Sequence, residues 1–224
     1  MGSIIEFAEQ GGGGVPEPLL FNIIAQDLTQ QGYSICPNAL PADLALALFQ
    51  HAQSMSDHKF KDAGIGRGDD FTQEESIRTD EICWISGDSP AGAAWLDWAN
   101  QLKTYLNSRL FLGLFSFESH FAHYGVGDFY KRHLDAFRGE ANRVLSVVVY
   151  LNPDWQADDG GELVLYENEQ DLEGTRVLPQ LGTVAIFLSE EFPHEVLPAQ
   201  ADRYSIAGWF RVNTSLGNKV DPPR

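Results

Sequence analysis

Short runs rich in β-branched and aromatic residues recur through the second half of the chain, and they constrain the fold more than any other feature. They cover residues 115–124, 129–135, 143–151, 161–167, 175–178, 183–189, 194–197 and 203–212. Turn signals such as Asn152-Pro153-Asp154 separate them. About eight strands at this spacing predict an antiparallel sandwich or barrel of the jelly-roll type. The runs 143–151 and 183–189 are apolar at successive positions, which is typical of central strands covered on both faces.

The first half of the chain instead carries apolar residues at helical spacing. The periodicity predicts helices over residues 18–31, 42–55 and 91–110, the last one beginning after a Ser89-Pro90 cap. The sequence therefore predicts a mainly β (α+β) fold with a jelly-roll core and N-terminal helices packed on one of its sheets.

The domain organisation predicted from this pattern is simple. Residues 1–16, with a run of four glycines, are expected to be a mobile N-terminus, and 214–224 a C-terminal tail. Residues 17–213 should form one domain, with helices mostly in 17–110 and the jelly-roll core mostly in 111–213. The polar stretch 56–79 is consistent either with a solvated loop or with a lid over a site.

Composition excludes several classes of partner. The formal net charge of −17 argues against nucleic acid, whose phosphates are neutralised by Lys and Arg. No apolar run approaches the roughly 20 residues that a membrane span needs, and the N-terminal segment lacks the basic region of a secretory signal. The two cysteines, Cys36 and Cys83, form no metal-type cluster. We expect a cytoplasmic monomer.

A candidate metal site begins with His133-Leu134-Asp135, at the end of a strand-like run. Residues two apart on a strand point to the same face, so His133 and Asp135 can share one pocket. One more histidine would complete the two-histidine, one-carboxylate triad of non-haem Fe(II) oxygenases. The candidates are His51, His58, His120, His123 and His194; the placement of His194 after Pro193, at the start of a late strand, suits a ligand arriving from across the barrel.

Arg203 opens the final long strand and shares a strand face with Ser205, Ala207 and Trp209. The planar fork of an arginine can bind a carboxylate through two parallel hydrogen bonds. A charge beside Trp209 is a poor candidate for a simply solvated residue. Arg203 is therefore a candidate for binding a carboxylate, such as the far carboxylate of a 2-oxoglutarate molecule that chelates iron; a structural ion pair is the alternative.

With these residues in place, the sequence resembles the prolyl hydroxylases of the hypoxia-inducible-factor type, and particularly their bacterial relatives. The resemblance runs from about residue 20 to 213 with order and spacing preserved. The matching segments are Ile77 through Ile85, Tyr124 through Asp135, Arg143 through Trp155, Gly160-Gly161-Glu162-Leu163, Pro193-His194-Glu195-Val196 with Pro198, Arg203-Tyr204 and Trp209.

This resemblance implies a double-stranded β-helix core and roles for individual positions. His133, Asp135 and His194 should bind Fe(II), and Arg203 with the Tyr150 hydroxyl should bind 2-oxoglutarate. Tyr124 and Trp209 should line the pocket near the metal. Residues 60–80 should form a loop that closes on the substrate, with Arg78 in that region and with Asp80 and Arg143 at positions that can pair to hold it.

The resemblance also implies an activity: 4-hydroxylation of a prolyl residue in a protein, using Fe(II), 2-oxoglutarate and O2, with ascorbate as reductant and with succinate and CO2 as co-products. For bacterial relatives it points to elongation factor Tu as the substrate, and a role in oxygen sensing stays open. Two alternatives also stay open: an oxygenase of the same fold that acts on a free amino acid or another small molecule, and a non-catalytic metal-binding interaction module.

Overall fold

The computed structural model describes residues 17–55, 59–63, 76–136 and 142–213. In these ranges three α-helices precede most of the strands: α1 (Glu17–Gln31), α2 (Ala42–Ser54) and α3 (Pro90–Leu110). Each predicted helix is confirmed to within one residue at either end. The hydroxyl of Ser89 caps α3 by accepting from the backbone N–H of Gly92 at 3.0 Å, with Pro90 in the first turn. No described helix has the length and apolar character needed to cross a bilayer.

Within the described residues, eleven strands form two antiparallel sheets. The strands are β1 (Tyr33–Cys36), β2 (Lys61–Asp62), β3 (Glu81–Trp84), β4 (Ser116–Tyr124), β5 (Tyr130–His133), β6 (Arg143–Tyr150), β7 (Leu163–Leu165), β8 (Thr175–Val177), β9 (Val184–Leu188), β10 (His194–Val196) and β11 (Arg203–Arg211). The larger sheet has the order β1-β9-β6-β11-β4-β3-β2, and the smaller one β5-β10-β7-β8. The predicted double-stranded β-helix is thus confirmed, and each of the eight predicted runs contains a strand.

Strand β6 shows how the larger sheet divides the protein into two cores. Leu145, Val147 and Val149 point to one face and pack with the apolar sides of the three helices. Val148 and Tyr150 point to the other face and pack in a second core with residues of the smaller sheet. Both faces are covered, which is why the strand is apolar almost throughout. The inner face, between the two sheets, carries the candidate metal ligands and Arg203.

Candidate metal and co-substrate site

Three side chains predicted as metal ligands meet between the sheets. Strands β5 and β10 are antiparallel neighbours whose register sets His133 opposite His194, and Asp135 follows the end of β5. Nε2 of His133 lies 3.7 Å from Oδ1 of Asp135, and Nε2 of His194 lies 3.6 Å from Oδ2. The candidate ligand atoms all lie within 4.8 Å of one another. These separations suit ligands that share one ion at bond lengths of about 2.0–2.2 Å.

The other candidate histidines that the structure describes lie outside this cluster. His51 belongs to α2 and packs against Phe121. His123 lies 3.0 Å from the Asp202 carboxylate, and the ring of His120 packs against Trp84 and Trp209. His58 lies outside the described residues.

Backbone carbonyls orient both imidazoles of the triad. Nδ1 of His133 lies 2.8 Å from the Lys131 oxygen, and Nδ1 of His194 lies 3.0 Å from the Phe192 oxygen. A carbonyl can only accept, so each Nδ1 carries the proton and each Nε2 offers a lone pair. Such contacts fix the tautomer that a metal-binding histidine needs.

Electrostatics keeps His133 and Asp135 in the protonation states that a cation requires. Burial, with a contribution from His194, lowers the pKa of His133 to about 3. Burial alone would raise the pKa of Asp135, but His194, His133 and Arg143 together lower it below its ordinary value. Two neutral imidazoles and one carboxylate form the donor set that suits Fe(II) with coordination positions left open.

Arg203 lies on the same inner face and is 1% exposed. Its Nε donates to the Gly161 carbonyl at 2.8 Å and its Nη1 to the Ser205 hydroxyl at 3.1 Å. The ion pairs found among the described residues engage other arginines and leave Arg203 without a carboxylate partner. A buried cation without a counter-ion is costly, so this guanidinium is suited to an anionic ligand.

Two tyrosines flank Arg203. Its guanidinium carbon lies 4.7 Å from the ring centre of Tyr124 and 5.3 Å from that of Tyr150. The Tyr150 hydroxyl is buried and finds no hydrogen-bond partner within the described ranges. Burial raises the pKa of Tyr150 although Arg203 offsets part of the effect, so the hydroxyl keeps its proton and can donate. An acceptor such as a carboxylate beside Arg203 would satisfy it.

An ionic network that the sequence interpretation missed lies beside Trp209. Arg143 lies 3.6 Å above the Trp209 ring, and its Nη2 is 3.2 Å from Oε1 of Glu118. Oε2 of Glu118 is 3.2 Å from Nη1 of Arg211. The sequence did contain a signal for this network. Glu118 shares a face of its strand with Tyr124, so it is a charged residue at an inward position that needs a partner.

The pair expected between Asp80 and Arg143 is not formed. Asp80 instead accepts two hydrogen bonds from Arg78, at 2.8 and 2.6 Å. Arg78 in turn lies 4.2 Å from the ring centre of Tyr130, and that ring stacks on His133 at 3.6 Å. The prediction was wrong for this structure because Glu118 engages Arg143. Residues 64–75, most of the predicted closing loop, lie outside the described residues.

Comparison with known proteins agrees with this geometry. The family described as the 2OG-Fe(II) oxygenase superfamily matches residues 119–211. A prolyl-4-hydroxylase of Pseudomonas putida is 40% identical, with 86% of this chain and 98% of that chain covered and a TM-score of 0.75. A Trichoplax adhaerens prolyl hydroxylase, solved in complex with a hypoxia inducible factor oxygen degradation domain peptide fragment, is 29% identical over 87% and 90% of the two chains, with a TM-score of 0.74.

Curated relatives point the same way. Egl nine homolog 1 of Homo sapiens is 29% identical over 145 residues, which are 61% of this chain and 33% of that protein. Prolyl hydroxylase EGLN3 of Mus musculus is 30% identical over 142 residues, 60% of this chain and 59% of that protein. The matched region therefore spans between a third and three fifths of these relatives.

Proposed function

Because the chain belongs to the 2OG-Fe(II) oxygenase superfamily, we propose that it 4-hydroxylates a prolyl residue of a protein substrate. The observation that carries the proposal is the juxtaposition of a His–Asp–His cluster with a buried arginine that has no carboxylate partner in the described part of the chain. Members of the family use Fe(II), 2-oxoglutarate and O2. We further propose that residues 17–213 act as one catalytic domain and as a monomer.

His133, Asp135 and His194 would hold the iron, since their free Nε2 and carboxylate oxygen atoms converge. When bound, iron with 2-oxoglutarate and O2 would supply the oxidising chemistry, in which the co-substrate is converted to succinate and CO2 with one oxygen atom of O2 while the other hydroxylates a C–H bond. Ascorbate would serve as the reductant that keeps iron in the ferrous state.

The protein's own contribution is positioning. Arg203 and the Tyr150 hydroxyl would hold the far carboxylate of 2-oxoglutarate by charge-assisted hydrogen bonds, with Tyr124 covering the guanidinium. Within the triad His194 is buried and His133 and Asp135 are partly buried, and together with the apolar second core this would limit access of water to the reacting atoms. The co-substrate would thus be fixed at both ends before the protein substrate binds.

The substrate-facing wall would consist of Trp209 with Arg143 on its ring, and of the Arg78–Asp80 pair at the root of the loop segment. Trp209 is 8% exposed, and the exposed part of its indole ring would contact the proline ring of the substrate. Arg78 and Arg143 are each paired with a carboxylate, and their guanidinium N–H groups could also donate to the carbonyl groups of a polypeptide.

A polypeptide substrate is favoured over a free amino acid because one similar structure is a complex with a peptide fragment. Within that class we propose elongation factor Tu, since the chain is similar to a bacterial prolyl-4-hydroxylase at 40% identity, with 98% of that chain covered.

The test is a coupled product assay. The protein is incubated with Fe(II), ascorbate, 2-oxoglutarate and either elongation factor Tu or free proline. We expect succinate formation together with the mass gain of one oxygen atom on a prolyl peptide of elongation factor Tu, and loss of both products in Asp135→Ala. Hydroxylation of free proline alone would refute the protein substrate, and full activity of Asp135→Ala would refute the proposed ligand.

A further inference from the structure

Two buried serines form a hydrogen-bonded chain that ends on Asp135. The hydroxyl of Ser146 donates to Oδ2 of Asp135 at 2.6 Å. The hydroxyl of Ser189 lies 2.9 Å from that of Ser146. A hydroxyl has a single proton, and Ser146 directs its own to the carboxylate, so Ser189 is the donor to Ser146. The two oxygens and the carboxylate therefore form one directed chain.

Packing does not explain these hydroxyls. Ser146 is 1% and Ser189 0% exposed, and each follows apolar residues, on β6 and at the end of β9 respectively. Ser146 lies in register with Phe187 on one side and Trp209 on the other. A buried hydroxyl is costly unless it is hydrogen-bonded, and an aliphatic side chain would suit such a strand better. The serines must therefore contribute something other than packing.

Asp135 is the triad member with the least backbone support. His133 and His194 lie on paired strands, and backbone carbonyls orient their rings. Asp135 follows the end of β5 and belongs to no strand. Its carboxylate could rotate about the Cβ–Cγ bond unless another group held it. The Ser146 hydroxyl supplies that restraint at the short distance expected of a hydrogen bond to an ionised acceptor.

We propose that Ser146, supported by Ser189, is a positioning residue that presets the Asp135 carboxylate for the metal ion. Engaging Oδ2 leaves Oδ1 available to the ion. The inference rests on the proposed function, because it assumes that Asp135 binds a metal. Loss of a group that orients a metal ligand typically weakens metal affinity by about 10- to 100-fold, and that is the effect expected for Ser146→Ala.

The test measures the dissociation constant of Mn(II) by the electron paramagnetic resonance signal of the free ion. Mn(II) is the probe because it accepts nitrogen and oxygen ligands without being oxidised during the titration. The informative pair is Ser146→Thr against Ser146→Val, which are nearly equal in volume and differ in the hydroxyl. We expect Thr to keep affinity close to that of the unmodified protein and Val to lose about 10- to 100-fold. Ser189→Ala should lose less, since Ser146 can still donate.

Ser119→Ala is the matched control. Ser119 is also 1% exposed, but its hydroxyl accepts from Nε1 of Trp95 on the helical face of the larger sheet. Its loss should lower the melting temperature of the metal-free protein and leave Mn(II) affinity unchanged. Equal affinity of Ser146→Thr and Ser146→Val, or an equal loss in Ser119→Ala, would overturn the inference while the proposed function stands. Failure of the unmodified protein to bind Mn(II) would refute the proposed function itself, and the inference with it.

Discussion

Gly161→Ala is a perturbation that tests how Arg203 is held. Gly161 has φ of +65°, and a Cβ atom there would lie 2.8 Å from Cδ of Arg203. The same glycine accepts the Arg203 Nε–H through its carbonyl at 2.8 Å. A side chain at this position would therefore displace the stem of the arginine and disturb the hydrogen bond that fixes its direction.

Two energies are involved. The left-handed conformation costs a residue other than glycine about 1–2 kcal/mol, which lowers stability wherever it occurs. Hydrogen bonds to a charged group contribute about 1.5–3 kcal/mol each. Misaligning one such hydrogen bond between Arg203 and 2-oxoglutarate should weaken co-substrate binding by roughly 10- to 100-fold.

The assay is calorimetric titration of 2-oxoglutarate into the Mn(II)-loaded protein. Gly113→Ala is the control, because Gly113 has φ of +66° and a Cβ atom there would meet nothing within 4 Å. Both variants should lose stability, and only Gly161→Ala should lose affinity. Unchanged affinity in Gly161→Ala, or an equal loss in Gly113→Ala, would refute the role given to this contact.

Three further predictions concern stability. Glu118→Gln removes the carboxylate that pairs with Arg143 and Arg211, and it should lower the free energy of unfolding, measured in urea, by about 3–5 kcal/mol. Glu162→Gln, at a more exposed ion pair, is the control and should cost less than about 1 kcal/mol. Similar costs for the two variants would contradict the role given to the Glu118 network. Burial lowers the pKa of His120 from 6.5 to about 4, so the unfolded chain binds more protons in that window. Stability should therefore fall as the pH drops from 6.5 towards 4, and His120→Asn should flatten that dependence in denaturation curves; an unchanged slope would contradict it. Mn(II) at 100 times its dissociation constant should add about 2.7 kcal/mol of stability, and His194→Ala should show no such gain in a thermal melt; an undiminished gain would remove His194 from the ligand set.

The sequence predicted those features whose cause is local. Alternation along a strand was enough to set Arg203 on the face of Trp209. It also predicted that His133 and Asp135 share one pocket, which they do although β5 ends at His133 and Asp135 lies just beyond it. Helical periodicity and the Ser89-Pro90 cap were enough for α3. The choice of His194 among the candidate histidines needed the placement of that residue at the start of a late strand, and the register of β5 with β10 brings it opposite His133.

Features that depend on pairing between distant segments were missed. Strand β1 is four residues long and pairs with β9, about 150 residues later in the chain, and β2 has two residues; neither segment carries a sufficient pattern of its own. The prediction of an Asp80–Arg143 pair was wrong for a related reason. Which carboxylate engages Arg143 depends on the register that sets β4 beside β11, and that register brings Glu118 within reach.

The most direct test of the central claim follows the two atoms of dioxygen. The protein is supplied with Fe(II), 2-oxoglutarate and its prolyl substrate under oxygen gas labelled with oxygen-18. The masses of succinate and of the hydroxylated product are then measured by mass spectrometry. If the triad and Arg203 couple the two oxidations, one labelled atom will be found in succinate and one in the hydroxyprolyl residue. A hydroxyl group that carries no label although the succinate does, or a labelled hydroxyl formed without 2-oxoglutarate, would contradict the mechanism.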